Sequence, residues 1–375
     1  MKINICGIGN PHNPKVWSGT PYNILKVLEA NDNLASAFSS DENTLLSRFL
    51  KFTGALYYNV KPGWERRSRT VRQINAATSV KNTRRSVSNH TLHFGTGDLP
   101  FRKLPKGQYH YIYCDSTWDL WSTHSTFRHL YSKRIIKLCE ELEQLSFAQA
   151  THIFPISEYV KENLINHYHV NPSKITVVGT GPGVIKPFFG QKDYRQKKIL
   201  FAAKGRFEDK GGFIVLDAFK KALREHPDMH LSIVGQKKYQ QMASHPNITA
   251  YDFLSIGQLQ ELFNSHSLFL MPAINEPWGL VYIEAMLCKM PIVGLNRNSF
   301  PELSHYGKFG VGIDSPDAER LAGVLSNLMS DTGRLTAMGA GAQSFALQQF
   351  TWRNTVQKII DQITLIDKNG EAPAN

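Results

Sequence analysis

Two glutamates eight positions apart, Glu276 and Glu284, straddle Gly279 where a loop gives way to an apolar helix. Eight residues make about 2.2 helical turns. The spacing therefore predicts Glu284 on the inner face of that helix and Glu276 in the loop that feeds it. Two carboxylates converging on one crevice can each accept hydrogen bonds from a pair of neighbouring hydroxyls, the handle that a sugar offers. Taken alone, the pair has a blander account: Glu276 caps the helix and Glu284 is a solvated surface charge.

Upstream, Phe201-Ala202-Ala203-Lys204-Gly205-Arg206-Phe207-Glu208-Asp209-Lys210-Gly211-Gly212 reads as a buried strand, a basic turn and a glycine-led helix start. A phosphate docked there would meet backbone N–H groups at the helix N-terminus and two fixed cations. Arg206 can fork onto two oxygens, whereas Lys210 acts as a point charge. The loop is not the Gly-x4-Gly-Lys-Ser/Thr type, and by itself it reads equally as a glycine-rich turn with surface charges. A diphosphate clamp and a diol clamp ending on neighbouring strands of one sheet together suit a nucleotide sugar.

The first half carries weaker signals. Gly7-Ile8-Gly9-Asn10-Pro11-His12 lacks the third glycine of the dinucleotide fingerprint, and Pro11 interrupts its turn. In Trp17-Ser18-Gly19-Thr20-Pro21 a loop runs into a helix, and Gly19 is small enough to let a substrate reach the backbone; a purely structural helix start fits as well. Asp115 ends a strand, which points it toward a ligand crevice or makes it a turn or cap residue. The 14 histidines show no metal spacing with Cys or Asp, and no Gly-x-Ser-x-Gly elbow is present.

Short apolar runs alternating with helix-period segments must position these residues, the pattern of βαβ units around parallel sheets. In the first half, strands are predicted at 3–7, 35–39, 91–94, 111–114, 151–156 and 175–178, with helices at 20–29, 42–51, 126–148 and 157–167. In the second half, strands are predicted at 198–203, 230–235, 248–251, 268–271 and 291–294. Its helices are expected at 212–225, 256–263, 280–288, 316–329, 333–348 and 352–366. Gly179-Thr180-Gly181-Pro182-Gly183, followed by Pro187 and a polar stretch, marks the domain break. We expect an N-terminal acceptor-side domain over 1–185 and a C-terminal donor domain over 196–350. A helix over 351–366 should return to the first domain, followed by a frayed tail at 367–375. Two such halves imply a cleft at the carboxyl ends of their strands.

Length and composition bound the rest. A chain of 375 residues is long enough for two cores. Hydrophobic content of 42% and charged content of 20% are those of a soluble globular protein. No apolar run reaches transmembrane length, and the first residues do not form a signal peptide, so a cytoplasmic protein is expected. The four cysteines have no paired spacing, consistent with free thiols. Of the net charge of +12, much sits in residues 48–85. Ten Lys or Arg there (Arg48, Lys51, Lys61, Arg66, Arg67, Arg69, Arg72, Lys81, Arg84, Arg85) face one acid, Glu65. Such a stretch is either a solvated loop or the seat of an anionic partner. Trp64 is the only aromatic in 63–89, too few stacking platforms for nucleic acid.

With those residues in place, the chain resembles the retaining glycosyltransferases of the GT-B fold, in particular glycosyltransferase family 4. The resemblance runs from about residue 151 to 352, through Phe154-Pro155-Ile156-Ser157, Lys174-Ile175-Thr176-Val177-Val178, Leu231-Ser232-Ile233-Val234-Gly235 and Phe350-Thr351-Trp352. Its most specific part is Glu276-Pro277-Trp278-Gly279-Leu280, continued by Glu284-Ala285-Met286. It implies two Rossmann-like parallel-sheet α/β domains facing a central cleft. Glu276 would hold the transferred sugar and Glu284 the ribose diol, with Gly279 and Leu280 against the donor. Arg206 and Lys210 would neutralise the leaving diphosphate, and Gly19 would close on the donor phosphates. Asp115 or a nearby His would face the reacting sugar. A bound metal is not expected, because Arg and Lys take its place. The first half would take a glycan, lipid-linked or other anionic acceptor at a membrane surface, with Arg66, Arg67 and Arg69 against it. Arg206 and Lys210 are closer together than in many relatives, and 178–181 lacks the Asn-Gly common there. The alternatives are a nucleotide-sugar epimerase or phosphorylase on the same plan, and a non-catalytic sugar- or polyanion-binding protein.

Overall fold

The computed structural model describes residues 1–40, 45–59, 69–95, 106–123, 125, 128–235 and 245–370. The chain divides into two compact units, Met1–Thr180 with Trp352–Asn375, and Gly181–Thr351.

The first unit opens with β1 (Ile3–Gly7), α1 (Thr20–Ala30), β2 (Leu34–Ser39), α2 (Leu45–Tyr58) and α3 (Arg69–Thr83). It continues with β3 (His90–Phe94), β4 (Tyr109–Cys114), α4 (Trp118–Thr123), α5 (Lys133–Gln149), β5 (His152–Pro155) and α6 (Glu158–Asn166). The strands form one all-parallel sheet in the order β2-β1-β3-β4-β5. Helices cover its faces, and its central strands are buried along nearly their whole length: every residue of β1 is buried, and the polar Asn4, Thr91, His93 and His110 are buried with the apolar residues.

The second unit holds β6 (Lys198–Ala202), α7 (Gly212–Ala222), β7 (His230–Val234), β8 (Ile248–Tyr251), α8 (Ile256–Ser265) and β9 (Leu268–Leu270). It ends with α9 (Leu280–Leu287), β10 (Ile292–Leu295), α10 (Phe300–Leu303), β11 (Gly310–Ile313), α11 (Ala318–Met329) and α12 (Thr332–Gln349). Its parallel sheet runs β11-β10-β9-β6-β7-β8. Numbered within the unit, this is the 3-2-1-4-5-6 order of the doubly wound fold. The direction of winding reverses between β6 and β9, and the loops after these two strands form the crevice where such sheets bind ligands. Capping sets the helix starts: Ser255 and Gln258 close a capping box on α8, and Asp317 accepts from Glu319 and Arg320 N–H at α11.

The last helix, α13 (Trp352–Lys368), clusters with the first unit and packs on α1. Val356, Ile359, Ile363 and Ile366 make its buried stripe. It extends past the predicted end, and Asp367 in its last turn lies 3.4 Å from His90.

Four differences from the expected elements have physical causes. Residues 175–178 do not form a strand: a single bridge joins Ile175 to Ile153 at the sheet edge. Residues 181–185 cluster with the second unit, because Glu284 accepts the N–H groups of Val184 at 2.6 Å and Ile185 at 3.0 Å. The predicted helix over 126–148 starts only at Lys133, where Ser132 accepts from Ile135 N–H. Finally, α3 occupies part of the basic stretch that also read as a loop. Its buried face is small and polar (Asn75, Ala76, Thr78, Ser79) and leaves no apolar periodicity to read. Among the described residues, no helix is long and apolar enough to cross a membrane, and all four cysteines are buried and outside any disulfide.

Candidate functional site

The loop after β6 and the loop after β9 bring the predicted charged residues together at the sheet's switch point. Lys210 is 6% exposed, and its ammonium contacts the Glu276 carboxylate. Arg206 Nε donates to Asp209 Oδ2 at 3.1 Å, and an Arg206 terminal nitrogen donates to the Asn275 carbonyl at 3.3 Å. The Asp209 backbone carbonyl accepts in turn from Ile274 N–H at 2.8 Å, so the two loops are laced together. Burial, with Arg206 and Lys204 alongside, pushes the Lys210 ammonium down to about 7; Asp209 pulls the other way. A lysine held this close to neutrality gains most from an arriving anion.

Glycine is obligatory at both helix starts. Gly211 lies at φ 80°, and a Cβ there would sit 2.3 Å from the Pro272 carbonyl oxygen. Gly279 lies at φ 87°, and a Cβ would meet the Tyr282 ring at 2.6 Å. Leu280 opens α9 directly after it. The expected backbone cradle is only partly available. The N–H groups of Lys210, Gly211 and Gly212 bond to the carbonyls of Arg206, Glu208 and Phe207 within the turn.

Glu284 is not a solvated charge. It is 3% exposed, and burial raises its carboxyl, opposed by the two backbone donors of Val184 and Ile185 and by the nearby Lys204 charge. Its Oε1 is already engaged by that segment, and a Cβ on Gly183 would lie 2.4 Å from it. Glu276 is half-buried with its backbone carbonyl held by Asn298 at 3.0 Å. Lys204 and Asp209 were not singled out by sequence reasoning. Both lie within the same basic loop: Lys204 adjoins Gly205, and Asp209 adjoins Lys210.

In the first unit, Gly19 and Asp115 belong to one cluster at the carboxyl end of the sheet, joined by Trp17. Trp17 Nε1–H donates to Asp115 Oδ2 at 3.1 Å, and its ring packs edge-on against Phe94 and Tyr113. Trp17, Ser18 and Gly19 are consecutive left-handed residues, at φ 44°, 54° and 85°. For Trp and Ser this conformation costs roughly 1–2 kcal/mol each. Burial pushes the Asp115 carboxyl up to about 6, with the Trp17 N–H pulling it down. Arg69 is exposed on the first turn of α3; Arg66 and Arg67 lie outside the described residues. No three His, Cys, Asp or Glu among the described residues gather as a cation site.

Residues 185–345 match the family described as Glycosyl transferases group 1. The matched stretch lies within the second unit, so it is this unit that is similar to a group 1 glycosyl transferase domain, while the two parallel-sheet units fit the GT-B fold. Among curated proteins, the chain is 28% identical over 41% of its length to the GDP-mannose-dependent alpha-(1-6)-phosphatidylinositol monomannoside mannosyltransferase of Mycolicibacterium smegmatis, covering 44% of that protein. It is 24% identical over 60% of its length to the D-inositol 3-phosphate glycosyltransferase of Rhodococcus jostii, covering 55% of it. The chain thus spans about half the length of the curated relatives it matches. Among solved structures, WaaG, a glycosyltransferase involved in lipopolysaccharide biosynthesis, aligns with a TM-score of 0.67 at 15% identity, over 96% of this chain and 99% of its own. Sucrose-phosphate synthase from Thermosynechococcus elongatus gives 0.71 at 13%, over 98% and 100%. These two likenesses establish the fold.

Proposed function

We propose that the chain is a retaining glycosyltransferase that moves a sugar from a nucleotide-diphosphate sugar to an acceptor hydroxyl, in glycan, glycolipid or polysaccharide biosynthesis. The observation that carries this reading is the Lys210–Glu276 contact beside the Arg206–Asp209 pair, at the switch point of a doubly wound sheet. In the proposed complex Glu276 turns from Lys210 to the sugar hydroxyls, which frees the ammonium for the diphosphate. Arg206 adds a second cation, the remaining Glu284 oxygen takes the ribose diol, and Gly279 and Leu280 lie against the donor. Gly19 approaches the donor phosphates, and Asp115 faces the reacting sugar.

The acceptor hydroxyl attacks the anomeric carbon from the face that the diphosphate leaves. As the carbon–oxygen bond to the diphosphate breaks, the departing oxygen takes the acceptor's proton. Arg206 and Lys210 stabilise the charge that develops there, with no metal required. The two relatives are named for a phosphatidylinositol monomannoside and an inositol 3-phosphate, which favours a phosphate-bearing acceptor here, with Arg66, Arg67 and Arg69 on its side. The test is a thermal-shift and transfer screen against UDP-, GDP- and ADP-sugars, with product anomer read by NMR. Stabilisation by no nucleotide sugar, or an inverted product, would overturn the reading, and so would a strict Mg²⁺ or Mn²⁺ requirement.

The proposed setting is the cytoplasmic face of a membrane. On α2, Leu45, Phe49, Phe52 and Leu56 are exposed, and at helical spacing they share an arc of about 60°. The small Ala55 turns inward instead, against the cluster of Trp118, Tyr131 and Ile135. An apolar stripe beside a stretch of ten basic residues and one acid complements an anionic bilayer. Co-sedimentation with phosphatidylglycerol vesicles should fall on Phe49→Ser/Phe52→Ser substitution and in high salt. Binding that ignores both would sink this element of the proposal.

A further inference from the structure

Three cations lie in the loop after β6, and two of them are paired: Arg206 with Asp209 at 3.1 Å, and Lys210 with Glu276. The third, Lys204, is exposed, and its ammonium forms no ion pair among the described residues.

The backbone holds Lys204 in a costly shape. Lys204 and Gly205 are consecutive left-handed residues, at φ 43° and 81°, and the Arg206 N–H closes the turn onto the Ala203 carbonyl at 2.9 Å. That is the pattern of a type I′ turn, whose first central position suits Asn, Asp or Gly. A lysine resists the left-handed region, so the turn by itself gives no reason for one, and strain of this kind is retained where a site uses it. The turn is also pinned. Ala203 N–H donates to the Val234 carbonyl at 2.9 Å, and a Cβ on Gly235 would lie 2.8 Å from the Lys204 nitrogen. Lys204 is thereby fixed where the adjacent strands β6 and β7 end, at the carboxyl edge of the second sheet.

From that position its charge acts on both halves of the proposed donor clamp. Burial raises the Glu284 carboxyl, and the Ile185 N–H and then Lys204 oppose it. Burial and Arg206 lower the Lys210 ammonium against Asp209, and Lys204 adds to the lowering. Lys204 therefore stands within electrostatic reach of the carboxylate assigned to the ribose and of the cation assigned to the departing phosphate. In a nucleoside diphosphate, the group between those two is the α-phosphate.

We propose that Lys204 binds the α-phosphate of the donor, the phosphate bonded to the ribose, as a third cation beside the two that face the departing phosphate. The inference rests on the nucleotide-sugar reading of this site. Arg206 and Lys210 must each exchange a carboxylate for a phosphate, whereas Lys204 gives up only water. An unpaired exposed charge also attracts the anion from further away, an effect that salt screens. No bond to the α-phosphate breaks during transfer, so the contact is alike in the ground and transition states. Its loss should raise KM and leave kcat nearly unchanged.

The test is calorimetric titration of the full chain at low ionic strength with UDP and UMP, GDP and GMP, and ADP and AMP. Lys204→Asn removes the charge and suits the turn, so it should melt no lower than the parent. It should weaken both members of the pair that the parent binds by roughly tenfold, and Lys204→Arg should keep most of the affinity. Lys210→Met, in contrast, should weaken the diphosphate much more than the monophosphate. Unchanged affinity in Lys204→Asn overturns the proposal. A loss confined to the diphosphate overturns it too, because it would put Lys204 on the departing phosphate. A lower Tm with lost affinity in both Lys204→Asn and Lys204→Arg would make the residue structural, which also overturns it. A parent chain that binds none of the six nucleotides refutes the donor reading itself, whereas a binding parent with no loss in Lys204→Asn refutes only the role of Lys204.

Discussion

The Lys210 ammonium meets the Glu276 carboxylate across 66 residues of sequence, joining the loops that follow two adjacent strands of the second sheet. Each is the other's stand-in partner: the lysine occupies the carboxylate where we place a sugar, and the carboxylate occupies the ammonium where we place a diphosphate. Removing either leaves a buried charge uncompensated. Lys210→Ala should lower kcat by roughly 10²–10³. Lys210→Ala/Glu276→Ala should lose less than the sum of the single losses, as contacting pairs do. A double-mutant cycle on kcat/KM, paired with denaturation curves, reads both; strict additivity would contradict the coupling.

The Lys210 value of about 7 has a consequence for pH. Below it the side chain is already charged, and an anion binds without proton uptake. Above it, binding must recruit a proton, so affinity for a nucleoside diphosphate should fall up to tenfold per pH unit. Calorimetric titration from pH 6 to 9 should show this slope, and Lys210→Met should flatten it.

Glu284 combines a structural and a proposed binding role, and substitution separates them. Glu284→Ala strips the acceptor from Val184 and Ile185 N–H, which should cost about 1–3 kcal/mol in urea denaturation. Glu284→Gln keeps an amide oxygen for those donors. It should retain most stability while losing about tenfold in nucleotide affinity.

The left-handed run at Trp17-Ser18-Gly19 predicts an unusual gain. Ser18→Gly should stabilise the first unit by roughly 1 kcal/mol, and Ser18→Val should destabilise it. Chemical denaturation reads both. An unchanged midpoint in Ser18→Val would mean that the loop relaxes freely.

Buried imidazoles set the acid limit. His110, His152 and His266 are held at about 4 by burial, and His93, bonded to His110 at 2.8 Å, is pushed well below its usual value. Their folded values lie under the unfolded value, so the unfolded chain binds more protons in between. Stability should be full above about pH 6.5 and fall as pH drops toward 4, by up to about 1.4 kcal/mol per unit for each group. Urea midpoints at pH 7.5, 6 and 5 test this, and His266→Asn should weaken the slope.

Local sequence determined much of this protein. Strand and helix periods follow from side chains that are buried along the central strands or on one helical stripe, and the second unit's loops announce themselves by glycine next to charge. Gly279 and Gly211 follow from backbone conformations that other residues resist. Tertiary structure decided what distance along the chain conceals. It set the order of β6 beside β9, which seats Lys210 against Glu276, and the packing of Val184 and Ile185 onto Glu284. It also decided that, among the described basic residues of 48–85, Arg72 is the buried one. Arg72 and Arg69 are alike in type and three residues apart, yet only one points into the fold, because burial belongs to the assembled sheet and not to the residue.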